Sequence, residues 1–173
     1  MADVIAKRKS KLFTQEGYRS LLIRLIVIVV AGYLLLTQVF LITQATGMDM
    51  FPAVKDGDLM IAFRLQQDYV TDDVVVYVAD GKQRCGRIVA TEYDSVDLSD
   101  GGSLRVNGTT QGGEILYPTY AKEGIEYPYR TPAGCVFILG DYRTQATDSR
   151  DFDAIPMADV QGKVITILRR RGL

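Results

Sequence analysis

Eighteen consecutive uncharged, mostly apolar residues from Leu25 to Ile42 constrain this chain more than any other feature. As a helix such a run rises about 27 Å and nearly matches a hydrocarbon core of roughly 30 Å. Leu21 to Ile23 extend it, so residues 21–43 read as one transmembrane anchor. Residues 1–24 carry six Lys or Arg against Asp3 and Glu16. The positive-inside rule then makes residues 1–20 a cytoplasmic basic N-terminus and puts residues 44–173 outside the cell membrane as one extracytoplasmic domain. A cleaved secretory signal would have a shorter apolar core and an Ala-x-Ala-like site, which Thr43-Gln44-Ala45-Thr46-Gly47 matches poorly. The expectation is an uncleaved, single-pass anchor.

With 173 residues, 47% hydrophobic and 24% charged, the chain can bury one compact domain beside that anchor. Residues 43–173 hold fourteen basic against nineteen acidic side chains, whereas a nucleic-acid binder needs a basic face, so no nucleic-acid partner is expected. The chain has no histidine and two cysteines, too few ligands for zinc and none for a histidine-based triad, and no cofactor is implied. Cys85 and Cys135 give no connectivity signal, and the preferred reading is two free thiols.

Beyond the anchor the pattern is short and apolar. Leu59–Phe63, Val74–Val78, Arg87–Thr91, Asp94–Leu98, Leu104–Val106, Cys135–Leu139 and Val164–Leu168 are runs rich in β-formers bounded by Gly, Asp and Thr. Asp100-Gly101-Gly102 and Asn107-Gly108 supply turns that tolerate positive φ. No segment outside the anchor keeps a 3.6-residue period. Gln111 to Pro132 reads as a long surface excursion, and Arg169-Arg170-Arg171 as a solvated basic tail.

Gly47-Met48-Asp49-Met50-Phe51-Pro52, followed by Gly57-Asp58, has the shape of a protease nucleophile loop with a carboxylate in place of the hydroxyl. It resembles the Gly-x-Ser-Met-x-Pro loop of type I signal peptidases, with Asp49 at the serine position. Arg84-Cys85-Gly86-Arg87-Ile88-Val89 resembles the strand that carries the lysine of that family, with Gly86 at the lysine position. Gly140-Asp141-Tyr142-Arg143-Thr144-Gln145-Ala146-Thr147-Asp148-Ser149-Arg150 resembles the signature Gly-Asp-Asn-Arg-x-x-Ser-x-Asp-Ser-Arg, with Ala146 at the accessory serine position. Phe152, Pro156, Gly162-Lys163 and Val106-Asn107-Gly108 continue the likeness to the peptidase S26 family. The resemblance implies a mainly β, signal peptidase-like antiparallel fold, preceded by one N-terminal transmembrane helix and carrying a peptide groove beside the membrane surface.

It also implies that both halves of the serine–lysine dyad are replaced. A serine hydroxyl attacks an amide only when a base takes its proton. Glycine supplies no amine. Side chains alternate along a strand, so Arg84 shares the face of Gly86 about 6.6 Å away and is expected to neutralise Asp49, while Arg87 points to the other side. A guanidinium stays protonated up to about pH 12 and cannot act as the base. Lys82 also shares that face, roughly 13 Å along the strand. Asp148 and Arg150 are expected to form a supporting ion pair, and Ser149 a structural role. Asp49, Met50, Pro52, Arg84, Gly86, Asp148 and Arg150 are the candidate peptide-binding set. Met48, Met50 and Phe51 read equally as peptide-facing or as packing.

In short size, single anchor and lost dyad the chain further resembles the signal peptidase-like proteins encoded with streptococcal pilus components. That likeness implies a non-catalytic chaperone or scaffold that assists pilin polymerisation by the membrane sortase, gripping an extended pilin segment by strand addition. The partners would be pilin subunits and the pilus sortase. The alternative is an active membrane-bound peptidase with an atypical Asp49-based site, in which two close carboxylates share a proton and activate water.

Overall fold

A computed structural model describes residues 2–112 and 116–169. Its contacts divide the chain into two units, Met1–Val39 and Phe40–Leu173. The first is the helix α1 (Ala2–Val39), in which Glu16–Val39 is long and apolar enough to cross a membrane and has none of that span buried within the protein.

The apolar run does not stay helical to its end. Phe40–Gln44 is a strand, β1, paired antiparallel with β2 (Leu59–Phe63) in the register Phe40↔Phe63 to Gln44↔Leu59. The helix therefore ends at Val39, four residues short of the expected anchor boundary at residue 43. Phe40, Leu41 and Ile42 suit a hydrocarbon core and a pleated sheet equally, and tertiary pairing with β2 decides between them.

The second unit is mainly β, and all its pairings are antiparallel. Its further strands are β3 (Val74–Ala79), β4 (Lys82–Ala90), β5 (Ser95–Leu98), β6 (Leu104–Val106), β7 (Thr109–Thr110), β8 (Tyr129–Arg130), β9 (Cys135–Leu139), β10 (Ile155–Pro156) and β11 (Val160–Leu168). A seven-stranded sheet has the order β1-β2-β11-β3-β4-β9-β10, and a four-stranded sheet the order β7-β6-β5-β8. One short helix, α2 (Ser149–Phe152), interrupts the β pattern.

β3 and β9 are apolar at every position because both faces are covered. On β3, Val75 and Tyr77 enter one core with Ile88, Val136 and Ile138. Val76 enters another with Ala45, Met50, Val54, Met60 and Ala62. A third core, containing Val89, Val96, Val106, Phe137 and Leu139, joins the small sheet to the large one. The expected strand at Leu104–Val106 leads into a two-residue turn at Asn107-Gly108, whose φ values of 52° and 77° are those that an Asn-Gly hairpin turn requires.

Among its described residues the excursion after β7 carries only β8, yet it is not merely surface: Thr119 and Thr131 are buried. Residues 113–115 of it lie outside the described residues, as do Arg170 and Arg171 of the C-terminal run. Cys85 and Cys135 are both free thiols, and burial pushes the Cys85 thiol up to about 12.

Candidate functional site

The loop carrying Asp49 is held at its base by backbone bonds from Ala45 N–H to the Asp58 carbonyl (2.8 Å) and from Gly57 N–H to the Ala45 carbonyl (2.9 Å). Inside it, Gly47 N–H donates to the Asp56 carboxylate at 2.8 Å and Lys55 N–H to the Asp58 carboxylate at 3.0 Å. Met50 and Val54 turn inward, 3% and 2% exposed, and fasten the loop to the core. Tyr142 N–H donates to the Asp49 carbonyl at 2.9 Å, clipping the loop to the 140–150 segment.

That scaffold projects the Asp49 carboxylate to 3.7 Å from the Arg84 guanidinium on β4. Thr147 N–H donates to the same carboxylate at 3.4 Å. Burial pushes the Asp49 carboxyl above its ordinary value of 3.8, and the Thr147 amide and Arg84 pull back against it. Arg84 lies over the Phe152 ring, 5.5 Å from its centroid. Its Nε is buried without a hydrogen-bond partner. The expected Asp49–Arg84 pair therefore exists, but it is long, and both groups retain unused bonding capacity.

Gly86 is packed rather than vacant. A Cβ built there would sit 2.4 Å from Ile138 Cγ2 and 3.1 Å from Tyr77 Cε1, so any side chain requires Ile138 to move. Tyr77 is 1% exposed, and burial pushes its hydroxyl upward so that it stays neutral. Arg87, on the opposite face as alternation predicts, grips Asp141 through two bonds of 2.8 and 2.7 Å.

Behind the loop, Asp148 and Arg150 are each 1% exposed and paired at 2.8 Å. Asp148 accepts from Arg150 N–H (3.1 Å), Arg150 Nε (2.8 Å) and Gly140 N–H (3.1 Å) as well. Arg150 also donates to the carbonyls of Arg143 (2.7 Å) and Tyr120 (3.1 Å). Ser149 Oγ accepts from Ile138 N–H at 3.0 Å, a structural role as expected. Gly140 must lack a side chain, because a Cβ there would lie 2.3 Å from the Ala146 Cβ and 2.5 Å from the Asp49 carbonyl oxygen.

These positions separate the proposed binding set, together with its neighbours Cys85 and Ala146, into three groups. Asp49, Met50, Arg84 and Cys85 line one shallow cavity of about 20 Å³, with Met50 reaching it from the core rather than lying open. Pro52 is exposed on the other flank of the loop and lines a different cavity. Gly86, Ala146, Asp148 and Arg150 are enclosed, so they shape the site from behind and present no surface to a ligand. The loop's other apolar residues also divide. Met48 is 43% exposed, while Phe51 stacks against Tyr142 with ring centroids 5.9 Å apart.

Two contributors have no sequence signal. Lys122, from the excursion, donates to the Ala146 carbonyl (2.7 Å) and the Asp151 carboxylate (2.6 Å), and its charge adds a smaller downward pull on Asp49. Tyr77 occupies the space in front of Gly86. No motif marks a loop lysine or a core tyrosine.

The family model "Signal peptidase, peptidase S26" matches residues 18–168, and the chain belongs to that family. It is 29% identical over 134 residues to a signal peptidase I of Bacillus caldolyticus, covering 68% of this chain and 73% of that protein. It is 30% identical over 132 residues to the probable thylakoidal processing peptidase 2, chloroplastic, of Arabidopsis thaliana, covering 67% of this chain but only 34% of that protein. A crystal structure of a signal peptidase I from Enterococcus faecalis is similar with a TM-score of 0.45 and 21% identity, covering 58% of this chain and 98% of that one.

Proposed function

We propose that this chain is a non-catalytic member of its family, a membrane-anchored chaperone or scaffold that holds an extended pilin segment during sortase-dependent pilus assembly. The observation that carries the reading is at Asp49. The residue that the motif likeness sets at the nucleophile position is a carboxylate facing a guanidinium at 3.7 Å, and the one it sets at the base position is a glycine closed in by Ile138 and Tyr77. Neither group takes a proton from a serine hydroxyl here. The pair suits recognition instead: the carboxylate attracts a lysine or amide of the partner, with Arg84 as its local counter-charge. Release follows without cleavage. The apolar span of α1 supports single-pass anchoring, with the basic N-terminus cytoplasmic and the β unit extracellular.

A carboxylate-based peptidase is supported less well. The raised Asp49 suits an acid–base role, yet Asp148 is saturated by Arg150 and Gly140 and has no oxygen left to share a proton. The deciding experiment incubates the purified chain with candidate pilins, pilus sortase and exported precursors, following cleavage and co-purification together. Co-purification of an intact pilin, weakened by Asp49→Ala, is expected. Specific cleavage that Asp49→Asn abolishes would overturn the proposal.

A further inference from the structure

The loop that carries Asp49 separates two cavities, and the second has a different chemistry. It is an open cavity of about 820 Å³ between the 52–55 flank of the loop, the four-stranded sheet and the 141–143 segment. That volume is within the range of sites that enclose several ligand groups. Its charged lining is Lys55, Asp72, Arg87, Asp141, Arg143 and Arg169.

Arg87 and Asp141 cancel through their two-bond contact. Arg143 does not have that arrangement. It is 2% exposed, forms no ion pair among the described residues, and donates only from Nη1 to Thr119 Oγ1 at 3.0 Å. Its Nε is buried without any partner. Burial depresses its pKa to about 10, against an upward pull from Asp141 and Asp148. Asp141 and Asp148 act on it only from beyond ion-pair contact and are themselves bonded to Arg87 and Arg150, so the buried guanidinium has room for a direct anionic partner beside this cavity. The setting favours such a partner: Lys55 and Arg169 reinforce the positive charge in a body that is otherwise net acidic.

The cavity also suits a polypeptide. Leu104, Val89 and Tyr117 give it apolar walls, and Thr110 brings β7, the outer strand of the four-stranded sheet, to its rim. A sheet edge takes up an extended segment through backbone hydrogen bonds. A guanidinium fork takes up a carboxylate with matching planar geometry.

We propose that this second cavity binds an extended peptide segment bearing a carboxylate, which is held by Arg143 beside Thr119 while the backbone runs along β7. The carboxylate comes from an acidic side chain or from a chain terminus. The proposal is independent of whether the Asp49 site binds or cuts.

The test uses the 173-residue chain in detergent and fluorescence anisotropy with three fluorescein-labelled octapeptides of Thr, Val and Gly. One ends in a free carboxylate, one is amidated, and one is amidated with a central Glu. The neutral amide is expected to bind about tenfold more weakly than the better carboxylate probe, the loss that one charged hydrogen bond accounts for. Comparing the two carboxylate probes identifies the source. Arg143→Met should lower affinity for that probe by about tenfold. Lys55→Gln with Arg169→Gln, at exposed positions, should lower it about threefold and flatten its salt dependence. Equal binding of all three probes, or saturable binding of none, overturns the proposal. So does undiminished affinity in Arg143→Met with an unchanged circular-dichroism melt. If that variant does not fold, full affinity in the Lys55/Arg169 double variant is the result that overturns it.

Discussion

Two of the carboxylate–guanidinium pairs at the 140–150 segment have surroundings that give them different work. Asp148 and Arg150 are each 1% exposed, 2.8 Å apart and supplied with further bonds to Gly140, Arg143 and Tyr120. Asp49 and Arg84 are 3.7 Å apart, 29% and 18% exposed in their side chains, and leave Arg84 Nε with no partner. The first pair is closed and serves the fold. The second is loose and half-wet, and is therefore the one that a ligand can complete. Similarity to a catalytic family distinguishes these pairs less well than hydrogen-bond completeness does.

The largest expected effect tests the closed pair. Arg150→Met or Asp148→Ala should each destabilise the β unit by about 3–5 kcal/mol, because one partner is left charged and buried. Urea midpoints by circular dichroism measure this, and a loss under about 1 kcal/mol would remove the distinction between the two pairs. Gly86→Lys comes next, at about 1–3 kcal/mol for overpacking against Ile138. Ile138→Ala in the same chain should recover part of that loss in a double-mutant cycle; additive losses would show that the two do not collide.

Asp49→Ala should leave stability within about 1 kcal/mol of the parent, as partly exposed ion pairs do, while lowering affinity for the segment proposed as its ligand severalfold. Equal loss of fold and affinity would make Asp49 a second structural pair. A smaller effect follows from pH. Asp49 holds its proton more tightly in the fold than in the unfolded chain, so its contribution to stability is fully present below the ordinary 3.8 and is lost as pH rises through the raised value. Carboxylate-dependent binding runs the other way and fades as pH falls through it. Urea midpoints across that window should slope less in Asp49→Asn. Lys122→Met is the smallest, within about 1 kcal/mol, because its contacts to Asp151 and Ala146 are partly exposed.

Much of this architecture was legible in the residues. Leu59–Phe63 and Cys135–Leu139 match strands end to end, because continuous apolar runs between turn formers have few other solutions. Side-chain alternation correctly set Arg84 toward Asp49 and Arg87 away from it. Phe40–Gln44 was not legible, since lipid and sheet select the same residues. The separation of Pro52 from Asp49 depends on the path of the loop, which no local preference encodes. Lys122 and Arg143 depend on where the excursion folds back, and that is fixed by Thr119 and Tyr120 meeting partners more than twenty residues away.

Arg150 has one more consequence. Its guanidinium holds carbonyls from residues 120 and 143 while Asp148 neutralises its charge, so the excursion cannot lift away without leaving the Arg150 Nη1 bond to Tyr120 unmade. The segment around Tyr120 should thus exchange its amide hydrogens in step with the sheet rather than at the pace of an ordinary surface loop.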